Sequence, residues 1–389
     1  MIFNFNKKKI RFVLTGGGTG GHLFPLLAVA EKAQQSAQNQ NLSLELSYLG
    51  PVKGPFSFDP RILEQRGIKT IPIISESPGN ASNPLTAGLS FLKEFFGFLQ
   101  CLWYLWLIMP DAVFSKGGFG SLPIIFVSFL YRIPVVIHES DVIPGQANQL
   151  SKKFASRIAI SFEKSIQFFP FEKTALTGNP IRNAFFEKTD RKKAIEFFGF
   201  SQELKTVFIS GGSQGAKKLN DLTLDSLPQL IENYQVIHQC GSRNYPEVSR
   251  GADFTLKGQE KQKQSRYKLF GFMDEQEIKS AYAAADLIIA RAGSGSIFEI
   301  SAQAKPSILI PLSTAAKDHQ RENAYAYAKT GAAIVLEENN LKPHIFFGQM
   351  DYLLKNQEKL RSMSEAAKSF SKPKAAETIA KELFVIAGA

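Results

Sequence analysis

Cysteine is almost missing from this chain. Only Cys101 and Cys240 occur in 389 residues, each inside an apolar or strand-like run where a free thiol behaves as a small hydrophobe. Neither a disulfide framework nor a metal-binding spacing can be built from them, which points to a reducing compartment. Other absences narrow the chemistry further. There is no identifiable nucleophile, no Walker-type lysine closing a glycine loop and no metal-ligand spacing. Any chemistry must therefore come from a general base and from stabilisation of a leaving group. The lysines are scattered, without interleaved aromatics or a basic helix, so nucleic acid is not an expected partner. The apolar run near the N-terminus is about five residues long, short of the roughly 7 to 15 of a signal segment, and the expected location is the cytosol.

What is present describes a globular chain of ordinary balance, 44% hydrophobic and 21% charged, with a formal net charge of +11. The length exceeds the roughly 250 to 300 residues that one core supports, so two domains are expected. The basic excess suits anionic partners: phosphorylated substrates or an acidic membrane surface. The stretch Thr15-Gly16-Gly17-Gly18-Thr19-Gly20-Gly21-His22 follows the apolar Ile10 to Leu14 and precedes a helical pattern. Glycine lets backbone approach an anion closely, and the helix start supplies free N–H groups. Gly16, Gly18 and Gly21 also fit the dinucleotide fingerprint, but the only acid near the next strand's end is Glu45, inside that strand. A nicotinamide oxidoreductase is therefore a weaker alternative, and a non-catalytic adaptor a further one.

Short β-branched runs at 42–49, 70–74, 112–114, 134–137 and 157–161 alternate with helical stretches, the pattern of a parallel sheet covered on both faces. A second series starts at 205–210, continues into Gly211-Gly212-Ser213-Gln214-Gly215, and adds strands at 235–238, 287–290, 307–310 and 333–336. The expected fold class is α/β, with one Rossmann-like domain over 1–181, a second over 182–371, and the C-terminal helix 372–389 crossing back onto the first. Ligands of such sheets bind at the carboxyl ends of the strands. Residues 89–109 form a nearly apolar helix carrying Trp103, Tyr104 and Trp106, with Ser90, Lys93, Glu94, Gly97 and Gln100 drawing a thin polar stripe that would face water. Three readings stay open for it: a membrane span, a buried crossover, or a crossover whose aromatic side meets a membrane surface.

Further stations fall at strand ends. Lys116-Gly117-Gly118 is a second anion cradle, and His138-Glu139-Ser140-Asp141 ends the next strand. In the second half, Arg291-Ala292-Gly293-Ser294-Gly295-Ser296 opens a helix suited to a diphosphate, with Glu299 one turn on, where a carboxylate can accept ribose hydroxyls. Residues Asp318 to Asn323 open another helix dense in hydrogen-bonding side chains.

Taken together and in order, residues 15–25, His138-Glu139, Thr177-Gly178-Asn179-Pro180-Ile181-Arg182, residues 211–216, 283–299 and 318–324 resemble the MurG family of bacterial N-acetylglucosaminyltransferases that make lipid II. The resemblance covers nearly the whole chain. It implies the GT-B fold, two Rossmann-like domains with parallel sheets facing a cleft, and inverting transfer of N-acetylglucosamine from UDP-GlcNAc to the 4-hydroxyl of the muramic acid of lipid I. It implies His22 as general base, with Glu139 also catalytic. Donor contacts are implied at Thr19, Gly20, Gly21, Asp141, Arg182, Gly212, Ser213, Phe272, Met273, Ser294, Gly295, Ser296, Glu299 and Gln320. Gly17, Gly18, Gly117 and Gly118 would hold the acceptor pyrophosphate. No cofactor or metal is required on this reading, and the enzyme sits peripherally on the cytoplasmic face of the cell membrane. A diacylglycerol glycosyltransferase or a UDP-GlcNAc epimerase of the same fold is the nearest alternative. The chain departs from the family where His-Glu-Gln-Asn is replaced by His138-Glu139-Ser140-Asp141, where Ala-Leu-Thr gives way to Ser294-Gly295-Ser296, and where Arg321 replaces a second glutamine.

Overall fold

The computed structural model describes residues 9–17, 20–52, 59–75, 84–187, 189–212, 216–314 and 318–389, the side chains of 20 and 84–91 excepted. Two compact units result: Met1–Arg182 with Pro373–Ala389, and Asn183–Lys372.

In the first unit, strands β1 (Lys9–Thr15), β2 (Ser43–Gly50), β3 (Ile68–Pro72), β4 (Ala112–Ser115), β5 (Val135–Glu139), β6 (Arg157–Ile160) and β7 (Thr174–Leu176) form one parallel sheet, ordered β3-β2-β1-β4-β5-β6-β7. Helices α1 (Gly20–Asn39), α2 (Arg61–Glu64), α3 (Pro84–Ile108), α4 (Leu122–Leu130) and α5 (Gln146–Ser151) supply the crossovers. From Phe12 onward both faces of β1 are buried, which is why Phe12 to Leu14 read as an apolar run. Phe12 and Leu14 pack with Leu26 and Val29 of α1; Val13 points the other way, among Cys101, Leu105 and Ile124. Thr15 lies opposite Ser115, so β1 and β4 end level where the strand order reverses.

The second unit repeats the plan. Strands β8 (Thr206–Ser210), β9 (Gln235–Gln239), β10 (Tyr267–Phe270), β11 (Leu287–Ala290), β12 (Ser307–Leu309) and β13 (Ala333–Val335) run parallel in the order β10-β9-β8-β11-β12-β13. Helices α6 (Arg191–Phe197), α7 (Lys217–Asn233), α8 (Tyr245–Leu256), α9 (Lys261–Gln264), α10 (Glu275–Ala284), α11 (Ser294–Ala302), α12 (His319–Ala328), α13 (Pro343–Lys355) and α14 (Gln357–Phe370) cover it. Its core joins Val207, Ile209 and Ile289 to Leu219 and Leu230 of α7 and to Phe346 and Met350 of α13. The last helix, α15 (Ala375–Ile386), belongs to the first unit. Ile379, Ala380, Leu383 and Phe384 enter that core, Phe384 meets Phe12 edge-on at 5.0 Å, and Glu382 pairs with Arg157 at 2.8 Å.

The helix α3 corrects one expectation. Its polar stripe does not face water. Gln100 accepts the Ile74 N–H at 3.0 Å, Glu94 meets Ser75 at 3.5 Å, and Gly97 lies so close to the Ile74 carbonyl that a Cβ there would stand 2.0 Å from its oxygen. The stripe docks the chain leaving β3. The outward side is instead apolar: Phe96, Trp103, Trp106 and Leu107 are each more than half exposed. Across from them α4 exposes Phe129 and Leu130. Among the described residues no helix is long and apolar enough to cross a membrane, so the spanning reading falls.

Candidate active site

Each sheet has a switch point at its carboxyl rim, and each carries glycine loops there. The first lies between β1 and β4. Gly17 N–H donates to Gly117 O (2.9 Å) and Lys116 N–H to Thr15 O (2.9 Å), lacing the two loops together. His22, in the first turn of α1, wedges its ring between them: a Cβ on Gly17 would stand 2.8 Å from His22 Nδ1, and one on Gly118 3.8 Å from Nε2. Gly118 has φ +92° and would place a Cβ 2.9 Å from the Gly17 nitrogen, so only glycine fits. Burial, reinforced by the Lys116 cation, brings the His22 pKa down to about 3, and the imidazole is neutral at pH 7.

The β5 end organises the floor of this rim. Glu139 is buried and accepts from Asp141 N–H (3.0 Å), Gly145 N–H (3.1 Å) and Asn148 Nδ2 (2.9 Å). Burial nonetheless raises its pKa. Both its oxygens thus serve the loop that follows. His138, fully buried, meets Gly178 O at 3.1 Å and Ser161 Oγ at 3.2 Å. Burial lowers its pKa well below the usual value, as in a neutral structural histidine. Thr15 Oγ1 and Asn148 Oδ1 are buried at this rim with no hydrogen-bond partner among the described residues. Arg182 stacks over the Phe24 ring of α1 at 4.5 Å. Gly20, Gly21 and Asp141 belong to this unit; Gly18 and Thr19 lie outside the described residues. Glu45 pairs with Lys9 (2.7 Å) and Arg11 (3.7 Å) midway along β2, not at the rim, which leaves the nicotinamide reading without its ribose acid.

The second rim lies between β8 and β11. Gly212, at φ +76°, follows β8, and its N–H donates to Ser210 Oγ (3.3 Å); Ser213 is outside the described residues. After β11 the chain enters α11, with Gly293 as N-cap and Ser294 buried behind it. Among the described residues, a Cβ on Gly212, Gly293 or Gly295 would meet nothing within 4 Å, so these residues leave space open at the helix start. Gly295, Ser296 and Glu299 fall on one face of α11 by their three- and four-residue spacing, and Tyr282 OH donates to Glu299 at 3.3 Å.

Behind this opening stands an ion network whose partners lie 47 positions apart, hidden from a linear reading. Arg291 donates to Glu338 at 2.5 Å and to the carbonyls of Ile310 (3.3 Å) and Pro311 (3.4 Å). Glu338 also accepts from Ser313 Oγ (2.6 Å), and these donors overcome burial to hold its pKa down at about 2. The loop so fixed presents Leu312 N–H to Gln320 Oε1 (3.1 Å). Asn323 Nδ2 donates to Ala292 O (3.4 Å). Arg321 is tied to Glu337 (2.9 Å), which also accepts from Tyr325 OH (2.8 Å). At the other end of the rim, past β10, Met273 is buried and Phe272 exposed. In sheet order the candidate residues run from Phe272 and Met273 after β10, through Gly212 and α11 at the switch point, to Gln320 after β12. Those four strand spacings come to about 19 Å. Among the described residues no three His, Cys, Asp or Glu side chains gather to hold a metal.

Known proteins match both units in order. The glycosyltransferase family 28 N-terminal domain matches residues 12–160, and the family's C-terminal domain matches residues 206–379. A UDP-N-acetylglucosamine–N-acetylmuramyl-(pentapeptide) pyrophosphoryl-undecaprenol N-acetylglucosamine transferase of Halothermothrix orenii is 36% identical over 376 residues, 95% of this chain and 97% of the relative. The enzyme of that name from Treponema denticola is 33% identical over 384 residues, 95% of each chain. The crystal structure of Acinetobacter baumannii MurG superposes with TM-score 0.72 at 26% identity, covering 96% of this chain and 99% of that one. A UDP-GlcNAc 2-epimerase of Neisseria meningitidis, solved with UDP-GlcNAc, superposes at 0.68 over 97% of this chain and 99% of that one with 14% identity, a likeness of fold alone. This chain is therefore a member of glycosyltransferase family 28 and, within it, of the UDP-N-acetylglucosamine–N-acetylmuramyl-(pentapeptide) pyrophosphoryl-undecaprenol N-acetylglucosamine transferases.

Proposed function

We propose that this chain transfers N-acetylglucosamine from UDP-GlcNAc to the 4-hydroxyl of the muramic acid of lipid I, giving lipid II for peptidoglycan. The observation that carries the reading is the pair of unlike glycine-lined rims within a chain aligned end to end with enzymes of that name. The open groove of the second unit suits the donor. Phe272 and Met273 take the base, the α11 start with Gly212 and Ser213 takes the diphosphate, Glu299 the ribose and Gln320 the sugar. The enclosed rim of the first unit suits the acceptor, its pyrophosphate on the Gly17, Gly18, Gly117 and Gly118 backbone.

The acceptor O4 attacks the anomeric carbon from the face opposite the leaving group, so configuration inverts. As the new C–O bond forms, the bond from that carbon to the phosphate oxygen breaks and UDP leaves with the electron pair. His22 is the base that takes the O4 proton. Its neutral form is the competent one, and the arriving pyrophosphate anion raises its proton affinity by offsetting the Lys116 charge. The α11 dipole and its N–H groups stabilise the departing diphosphate without a required metal. Glu139 shapes the loop that carries Asp141.

The enzyme works at the cytoplasmic face of the cell membrane as a peripheral protein. Trp103, Trp106, Leu99, Leu102 and Tyr131 line one shallow depression, the indoles 5.7 Å apart, and exposed aromatics of this kind partition to a lipid interface. The net charge of +11 favours anionic headgroups. The test is an assay with radiolabelled UDP-GlcNAc and a lipid I analogue, scored for labelled disaccharide; label appearing only as free sugar would refute it.

A further inference from the structure

Lys116 follows β4 directly at the first switch point and is 3% exposed. A Cβ on Gly16 would stand 3.3 Å from the Lys116 Cβ, so its stem starts between the two glycine loops. Its Nζ donates to Ser140 Oγ at 2.9 Å. An ammonium has three donors, and among the described residues this one has no second hydrogen bond and no carboxylate at ion-pair distance. Glu139, the obvious partner, has both oxygens engaged by its own loop. Leaving a charge buried and incompletely paired costs several kcal/mol, a cost that an arriving anion would offset.

We propose that Lys116 is a further acceptor-site residue, its ammonium supplying the positive charge that seats the acceptor's pyrophosphate against the Gly17 and Gly118 backbone beside His22. The inference rests on the first rim being the acceptor site. The charge sits where its field reaches the base: it lowers the proton affinity of His22 and of His138. Facing Lys116 are Ser140, Glu139 and Asp141 from the β5 end; facing His22 are the Gly17 and Gly118 loops and Lys116 itself. Lys116 therefore couples acceptor seating to the readiness of the base, because a bound pyrophosphate masks the cation that otherwise keeps protons off His22.

The experiment uses the full chain, UDP-GlcNAc and a short-chain lipid I analogue, with inorganic pyrophosphate as a competing probe. In Lys116→Met the acceptor KM and the pyrophosphate inhibition constant rise about tenfold or more, the size of one charge-assisted hydrogen bond, while donor KM stays within about twofold. Loss of the cation also moves the acid limb of kcat/KM to higher pH, and Lys116→Arg keeps the limb in place. If Lys116→Met does not fold, Ser140→Ala decides, since releasing the ammonium should raise acceptor KM by about threefold. Unchanged acceptor KM and pyrophosphate inhibition in the folded Lys116→Met, or unchanged KM in Ser140→Ala where Lys116→Met does not fold, would overturn the assignment. Wild-type protein that forms no disaccharide would break the acceptor reading itself, whereas active wild type with an indifferent Lys116→Met breaks only the role of Lys116.

Discussion

At the first rim a Cβ on Gly17 would lie 2.8 Å from the His22 ring, and one on Gly118 2.9 Å from the Gly17 nitrogen; at the second rim a Cβ on Gly293 or Gly295 would meet nothing. The same residue type thus answers two different demands. In the first unit glycine is needed by the protein, because two loops and an imidazole share one small space. In the second unit glycine leaves room for something that is not protein. Titratable groups follow the same division: His22, Lys116 and Glu139 crowd the first rim with shifted affinities for protons, while the second has its Arg291–Glu338 pair set behind an open helix start. On the proposed reading the first rim holds the proton chemistry and the acceptor pyrophosphate, and the second the donor diphosphate.

The sharpest way to break this contrast is His22→Ala. Turnover should fall about a thousandfold, the upper part of what a general base supplies, with UDP binding unchanged by calorimetry; near-normal turnover would remove the base from the first rim. Next is Glu338→Gln, which leaves the Arg291 cation buried without its counterion and should cost about 3 to 5 kcal/mol in urea unfolding. The same pair gives a pH signature. With its folded pKa depressed to about 2, Glu338 contributes stability that is present above its unfolded value and is lost as pH falls through the folded one. Acid titration of Glu338→Gln should therefore show a flatter loss of stability below pH 4.5, the ordinary value of a glutamate carboxyl.

Smaller effects separate the glycines. Gly118→Ala should destabilise by about 1 to 3 kcal/mol, since its φ and its neighbours both oppose a side chain. Gly295→Ala, inside α11, should leave the melting temperature level or raise it by the equivalent of up to about 1 kcal/mol while raising the UDP-GlcNAc KM. Equal melting losses in the two variants would erase the distinction between the rims. Smallest of all, chelator should change turnover by no more than about twofold, because on the proposed reading the N–H groups at the α11 start supply the leaving-group stabilisation; abolition by chelator and rescue by a divalent ion would count against that.

Much of the architecture was legible because buried parallel strands are apolar on both faces: β1, β4, β8 and β11 announce themselves, and their glycine junctions mark the rims. Two strands were not. Thr174–Leu176 and Tyr267–Phe270 are edge strands with partly exposed positions, so they lack a continuous apolar run. The polar stripe of α3 was visible, but its direction was not, because periodicity identifies a face without saying what lies against it. Lys116 read as one letter of a glycine station, since burial and an unfilled set of donors do not appear in a sequence. The Arg291–Glu338 pair depends on a contact between β11 and the chain beyond β13. His22 stood out because a titratable group among glycines is uncommon in any setting.

The most direct measurement of the division between the rims is amide hydrogen exchange on the full chain with each ligand alone. UDP should slow exchange at Gly212 and across 293–299 and leave Gly17, Gly117 and Gly118 unchanged, whereas a lipid I analogue should do the reverse. Protection of the Gly17 and Gly118 loops by UDP, with residues 293–299 indifferent, would contradict the assignment of donor and acceptor.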